Sequence, residues 1–64
     1  MKVDTMKVKV LMVERGLNQS QLADKAGVAR STLYLFFKRS KGNLSTLAKI
    51  TKALNVEPTE IIKN

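Results

Sequence analysis

Arg30, Ser31 and Thr32 stand in a row, with Leu35 and Lys38 following at one-turn intervals from Ser31 if the segment is helical. An arginine offers two parallel N–H donors that match O6 and N7 of guanine. The two hydroxyls can bond base edges or phosphate, and an outward leucine fits the methyl of thymine. Tyr34 and Lys38 would then lie along the groove wall near phosphates. Each residue also has a plainer use. Arg30 would serve as a solvated first-turn residue, mildly disfavoured at the positive end of a helix. Leu35 would equally pack against another helix or another subunit.

No other chemistry competes with this. The five carboxylates Asp4, Glu14, Asp24, Glu57 and Glu60 are scattered, and there is no histidine and no cysteine. Convergent acid–base groups, disulfides and the usual zinc ligands are therefore missing, and the three glycines are too far apart for a phosphate loop. We expect no enzyme activity, no cofactor, no metal and no small-molecule ligand. Twelve Lys and Arg against five Asp and Glu give a formal charge of +7, which favours a polyanionic partner. Helix starts bind anions through free N–H groups and the helix dipole. Gln19 and Asn43 open two of the helices argued below, so both are expected to grip phosphate, alongside Tyr34, Lys38 and Lys41. Arg39 adds to the basic cluster around Lys38 and Lys41.

The elements that must position these groups are legible in the punctuation. Asn18 is a good N-cap, and Gln21 three residues on completes a capping box, with Leu17 and Leu22 as a hydrophobic staple. Leu22, Ala23 and Ala26 share one face of that helix, and Gly27 ends it in the left-handed conformation. The next helix runs from about 30 to 38. Leu33, Phe36 and Phe37 fall on its inner side, with Ser31, Leu35 and Lys38 opposite and Tyr34 at the border. Ala29 offers no capping side chain. Two helices joined by one tight turn, over about 18–38, have the layout of a helix-turn-helix, whose second helix enters the major groove.

On either side the reading is coarser. Lys7-Val8-Lys9-Val10 alternates like a strand, while Val8, Leu11, Met12 and Arg15 follow helical spacing. A helix from about 5 to 15 is favoured, because Gly16 stops it and no partner strand is visible. Met1 to Asp4 is expected to be a short, mobile basic arm. Asn43 caps a fourth helix in which Leu44, Leu47, Ile50 and Leu54 recur. Pro58 to Ile62 should form a short fifth helix, with Pro58 at its first position and Glu60 near its positive end. Ile61 and Ile62 cannot both face fully inward, so one of them is available to seat a second subunit.

Sixty-four residues support one domain, over 1–64, with a small core. No apolar run approaches the roughly 20 residues needed to span a bilayer, and charges interrupt any signal-peptide core in the first fifteen residues. We expect a cytoplasmic chain without a membrane partner. A basic N-terminal helix that lies on a membrane surface is the weakest rival reading.

These residues resemble the Cro and phage-repressor helix-turn-helix family, also called XRE-type. Gly16-Leu17-Asn18-Gln19, Leu22-Ala23, Gly27-Val28 and Ser31-Thr32-Leu33 carry the core of the pattern. Leu44-Ser45-Thr46-Leu47, Ala53-Leu54-Asn55-Val56 and the Pro58 helix look like its later part. The resemblance covers about Val8 to Ile62. It implies an all-α, compact five-helix fold of the lambda-repressor type that binds double-stranded operator DNA as a homodimer. It also implies a phosphate contact at Gln19 and base contacts at Arg30, Ser31 and Leu35. Three departures stand out: Ala29 in place of a polar cap, Phe37 where a charge is common, and Lys38-Arg39-Ser40 in place of an Asn-Gly turn. The last implies a longer third helix. The expected function is a sequence-specific transcriptional regulator, a repressor that binds a palindromic operator. The alternative is an antitoxin-like module that neutralises a toxin partner, for which Gly42-Asn43 before the Leu44 helix looks similar to some family members.

Overall fold

The structure, a computed structural model, describes residues 2–40 and 43–63. Among these residues four α-helices follow one another: α1 (Thr5–Glu14), α2 (Gln19–Ala26), α3 (Arg30–Arg39) and α4 (Leu44–Leu54). They are framed by two short strands, β1 (Lys2–Val3) and β2 (Ile62–Lys63), with a single 3-10 turn at Pro58–Glu60.

Each helix starts and stops for a local reason. Asp4 caps α1, its Oδ1 accepting from Lys7 N–H at 3.1 Å. Residues 7–10 are thus helical, and Gly16 (φ +66°) turns the chain after Arg15. Asn18 and Gln21 form the reciprocal capping box, at 2.8 and 2.9 Å. Gly27, at φ 73°, closes α2, and Val28 N–H returns to Ala23 O at 3.1 Å. Asn43 caps α4 through Thr46 N–H at 2.7 Å. Asn55 ends that helix in the left-handed region, and Val56 N–H bonds Thr51 O.

The core lies where these helices meet. Leu22 and Ala23 of α2, Leu33 and Phe36 of α3, and Leu47, Ile50 and Leu54 of α4 are buried together with Val8 of α1 and Ile61. Thr51 is buried too, and its hydroxyl is satisfied by Leu47 O and Ala48 O at 3.0 and 3.1 Å. Leu44 departs from the expected apolar stripe and is exposed. It is the first residue of α4 and only about 60° around the helix from Leu47, so its exposure follows from its place at the helix end and not from its face.

Two expectations are corrected at the edges of the fold. Residues 2–4 are not a mobile arm: Val3 is only 3% exposed, and β1 pairs antiparallel with β2 in the register Lys2–Lys63 and Val3–Ile62. Val3 N–H also donates to Ser40 O at 2.8 Å, and Asp4 N–H to Ile61 O at 2.7 Å. The all-α, five-helix architecture is likewise amended. The segment after Pro58 makes one 3-10 turn, Ile61 drops into the core, and Ile62 enters the ribbon. A fifth α-helix would have withdrawn Ile62 from Val3. The ribbon lets both neighbouring isoleucines find apolar surroundings, Ile61 fully and Ile62 partly.

Among the described residues no helix is long and apolar enough to cross a membrane.

Candidate nucleic-acid interface

α3 is held by its inner face. Leu33 and Phe36 are buried, and Phe37 is half-buried, its ring edge-on to Phe36 at 5.6 Å between centroids. Lys9 Nζ of α1 sits 5.8 Å from the centre of the Phe37 ring. The departure at Phe37 therefore adds packing between α3 and α1, with a weak cation–π contact over it. Burying these three positions turns Ser31, Leu35 and Lys38 to the opposite side, where all are exposed. Thr32 and Tyr34 flank that line and are exposed as well, with Lys38 Nζ 5.9 Å above the Tyr34 ring. Leu35, 40% exposed, lies outside the core cluster of the described residues.

Arg30 is the first residue of α3. Its guanidinium lies 3.9 Å from the Asp24 carboxylate across the turn, with the two side chains 69% and 73% exposed. An ion pair this open and this long contributes little to stability, so the arginine can leave it for a stronger acceptor. α3 also runs one residue past the expected end, to Arg39, and Ser40 then takes the left-handed conformation at φ 55°.

The starts of the helices differ in a way that bears on anions. At α2 and α4 the cap side chains occupy one N–H each, and the N–H groups of the first two residues have no intrahelical acceptor. Gln19 is the first residue of α2 and Asn43 the cap of α4, and both are exposed. Asn43 Oδ1 is committed to Thr46, so an anion there would meet the side-chain amide nitrogen and the N–H groups of Leu44 and Ser45. At α3, Ala29 is extended (φ −67°, ψ 147°) and makes no side-chain cap bond. The N–H of Thr32 thus joins those of Arg30 and Ser31 without a side-chain partner. The positive end of α3 is the barest of the three. Lys41 lies outside the described residues, as does Gly42.

The fold also gathers cations that the sequence leaves apart. Lys25 of α2 and Lys49 and Lys52 of α4 line a groove of about 410 Å³ floored by Ala26 and Ala53. The small alanines allow α2 and α4 to approach, and only that tertiary contact brings the three lysines together. Lys49 and Lys52 are one turn apart on α4, but the distance of Lys25 from them along the chain leaves no local signal for the group.

A family model for the Cro/C1-type HTH DNA-binding domain matches residues 7–63. No curated protein and no solved structure matches the chain.

Proposed function

Because the chain belongs to the Cro/C1-type HTH DNA-binding domain family, we propose that it is a transcriptional repressor that occupies a palindromic operator as a homodimer. The exposed line Ser31–Leu35–Lys38 on the helix after the Gly27 turn carries this reading. In it, α3 enters the major groove by its bare N-terminal end. Arg30 leaves Asp24 for a guanine, Ser31 and Thr32 bond base edges, and Leu35 meets a thymine methyl. Gln19, Tyr34, Lys38, Lys41 and Asn43 hold phosphates and set the register.

The dimer follows from size. One copy carries one reading helix and is 27 Å across at its longest. Half-sites read from one face of the duplex recur about 34–36 Å apart, so two copies are needed to read two of them. Repression then acts by occupancy. Selection of bound sequences from random duplexes tests the reading. It should enrich an inverted repeat whose half-site centres are about 10 base pairs or a multiple apart. Recovery of no enriched sequence, or of an unrepeated one, would refute it.

A further inference from the structure

α1 is apolar on both of its faces. Val8, Leu11 and Met12 face the core, while Met6, Val10 and Val13 face solvent at 67%, 46% and 79% exposure. The outer three follow i, i+4, i+7 spacing and form a stripe directly opposite the buried one. A helix apolar on two opposite faces normally has a neighbour against each, and among the described residues this one has a neighbour on one side only.

We propose that the outer stripe of α1 is the homodimer interface, packed antiparallel against α1 of a second copy about a two-fold axis beside Val10. The proposal deepens the dimer reading above and rests on it. The charges flanking the stripe select both the occupant and the direction. Lys7 and Glu14 are seven residues apart, so they share one edge of the stripe, and both are exposed. A two-fold axis at Val10 sets Met6 of one copy beside Val13 of the other. It also sets Lys7 of each copy opposite Glu14 of its mate, on the same edge. A parallel two-fold pairing would set the Lys7–Glu14 edge of each copy beside the opposite edge of its mate, which carries Lys9, and would form neither Lys7–Glu14 contact.

Two potential obstacles are removed by the structure. Among the described residues Glu14 is engaged only by its neighbour Arg15, at 3.7 Å on an exposed surface, which is a contact easily exchanged. Lys9, on the other edge of the stripe, is drawn toward Phe37 of its own chain and so away from its symmetry mate. An anionic membrane fits the stripe less well, since Glu14 would be set against it. Three apolar side chains on a ten-residue helix make a small interface, so the free dimer is weak and forms fully only when the operator holds both copies.

Charge reversal tests the register without risk to the fold. Lys7→Glu adds a negative charge at the N-terminal end of α1, and Glu14→Lys adds a positive charge at its C-terminal end. Both changes favour the helix dipole. Sedimentation equilibrium of the full chain without DNA, up to millimolar concentration and at low salt, should show a monomer–dimer equilibrium for the wild type. Each single reversal turns two cross-copy attractions into repulsions and should weaken dimerisation about tenfold. The double reversal K7E/E14K should restore it. A wild type that stays monomeric, a dimer indifferent to the single reversals, or a double reversal no better than the singles would each overturn the proposal. Flotation of the chain with phosphatidylserine vesicles in place of self-association would overturn it too, and assign the stripe to a lipid surface. Binding of each variant to a single selected half-site, measured alongside, reports on the α3 reading alone. Loss of the dimer with half-site binding intact belongs to α1, and loss of half-site binding in the wild type belongs to α3.

Discussion

Three of the four helices begin with a side-chain cap, and α3 does not. Asp4, Asn18 and Asn43 accept from the N–H three residues on at 3.1, 2.8 and 2.7 Å, whereas Ala29 has the extended backbone of a cap and no oxygen to offer. Ala29→Ser should place Oγ where Thr32 N–H can donate to it, with no clash, because residue 29 is exposed. The gain is about 1 kcal/mol, within a range of roughly 0.5–2 for such caps. For a domain of this size that raises Tm by roughly 4–8 °C per kcal/mol. Ala29→Asp should gain as much again from the cap, plus about 0.3–1 kcal/mol from its charge at the positive helix end. Against DNA the two variants part company. The serine is neutral, and should leave operator affinity within about threefold of wild type, since one capping bond is worth about as much as the neutral hydrogen bond it replaces. The aspartate is set against phosphates and should weaken binding at least about tenfold, more so at low salt, where screening is least. Thermal melts by circular dichroism and fluorescence anisotropy on a selected duplex at two salt concentrations measure both effects. If Ala29→Asp raises Tm and binds as wild type does, the start of α3 does not approach the duplex. If neither variant raises Tm, the N–H groups of α3 are not short of a partner and the capping argument fails.

Arg30→Ala should cost about 1–3 kcal/mol on the best site and flatten the preference at one base pair in a repeated selection, and an unchanged base preference would remove Arg30 from the readout. Lys38→Ala should instead weaken binding to all sequences alike and reduce the salt slope by about 1; a sequence-dependent loss would make Lys38 a base-reading residue. Ser40→Gly should stabilise the fold by up to about 1 kcal/mol, because serine at φ 55° is strained where glycine is not. Urea titration should then show a higher midpoint at unchanged slope, and an unmoved midpoint would mean that the turn tolerates serine without cost.

What could be read along the chain was whatever is decided within four residues of it. The Asn18–Gln21 box, the Gly27 stop and the Asn43 cap each depend on a side chain and a backbone group close in sequence, and each appears with its expected partner. The division of α3 into a buried and an exposed side also follows from helical spacing alone, which is why the exposure of Ser31, Leu35 and Lys38 was legible. Pairings across the whole chain were not. Val3 carries no periodic signal, and its partner Ile62 lies at the far end of the sequence, in a segment whose Pro58 and Glu60 read as a helix start. The same holds for Lys25, Lys49 and Lys52, which share a groove only because α2 packs on α4. Arg30 shows the remaining gap: its helical position was clear, yet its lean toward Asp24 depends on the angle between α2 and α3.

The ribbon gives α3 a kinetic dependence. Val3 bonds the carbonyl of Ser40 at the exit of α3 and pairs with Ile62 beyond α4, so it closes a loop that encompasses all four helices. Contacts between residues so distant form late, since chain closure must precede any reward from them. They are also few, which makes the ribbon a natural first place for the native protein to open. The amides of Val3 and Asp4 should then exchange with solvent ahead of those in the middle of α2 and α4. The exit of α3 would be fastened only after residues 61–63 have been synthesised and docked. A nascent chain that has made the helix-turn-helix, but not yet this closure, would hold α3 at one end only.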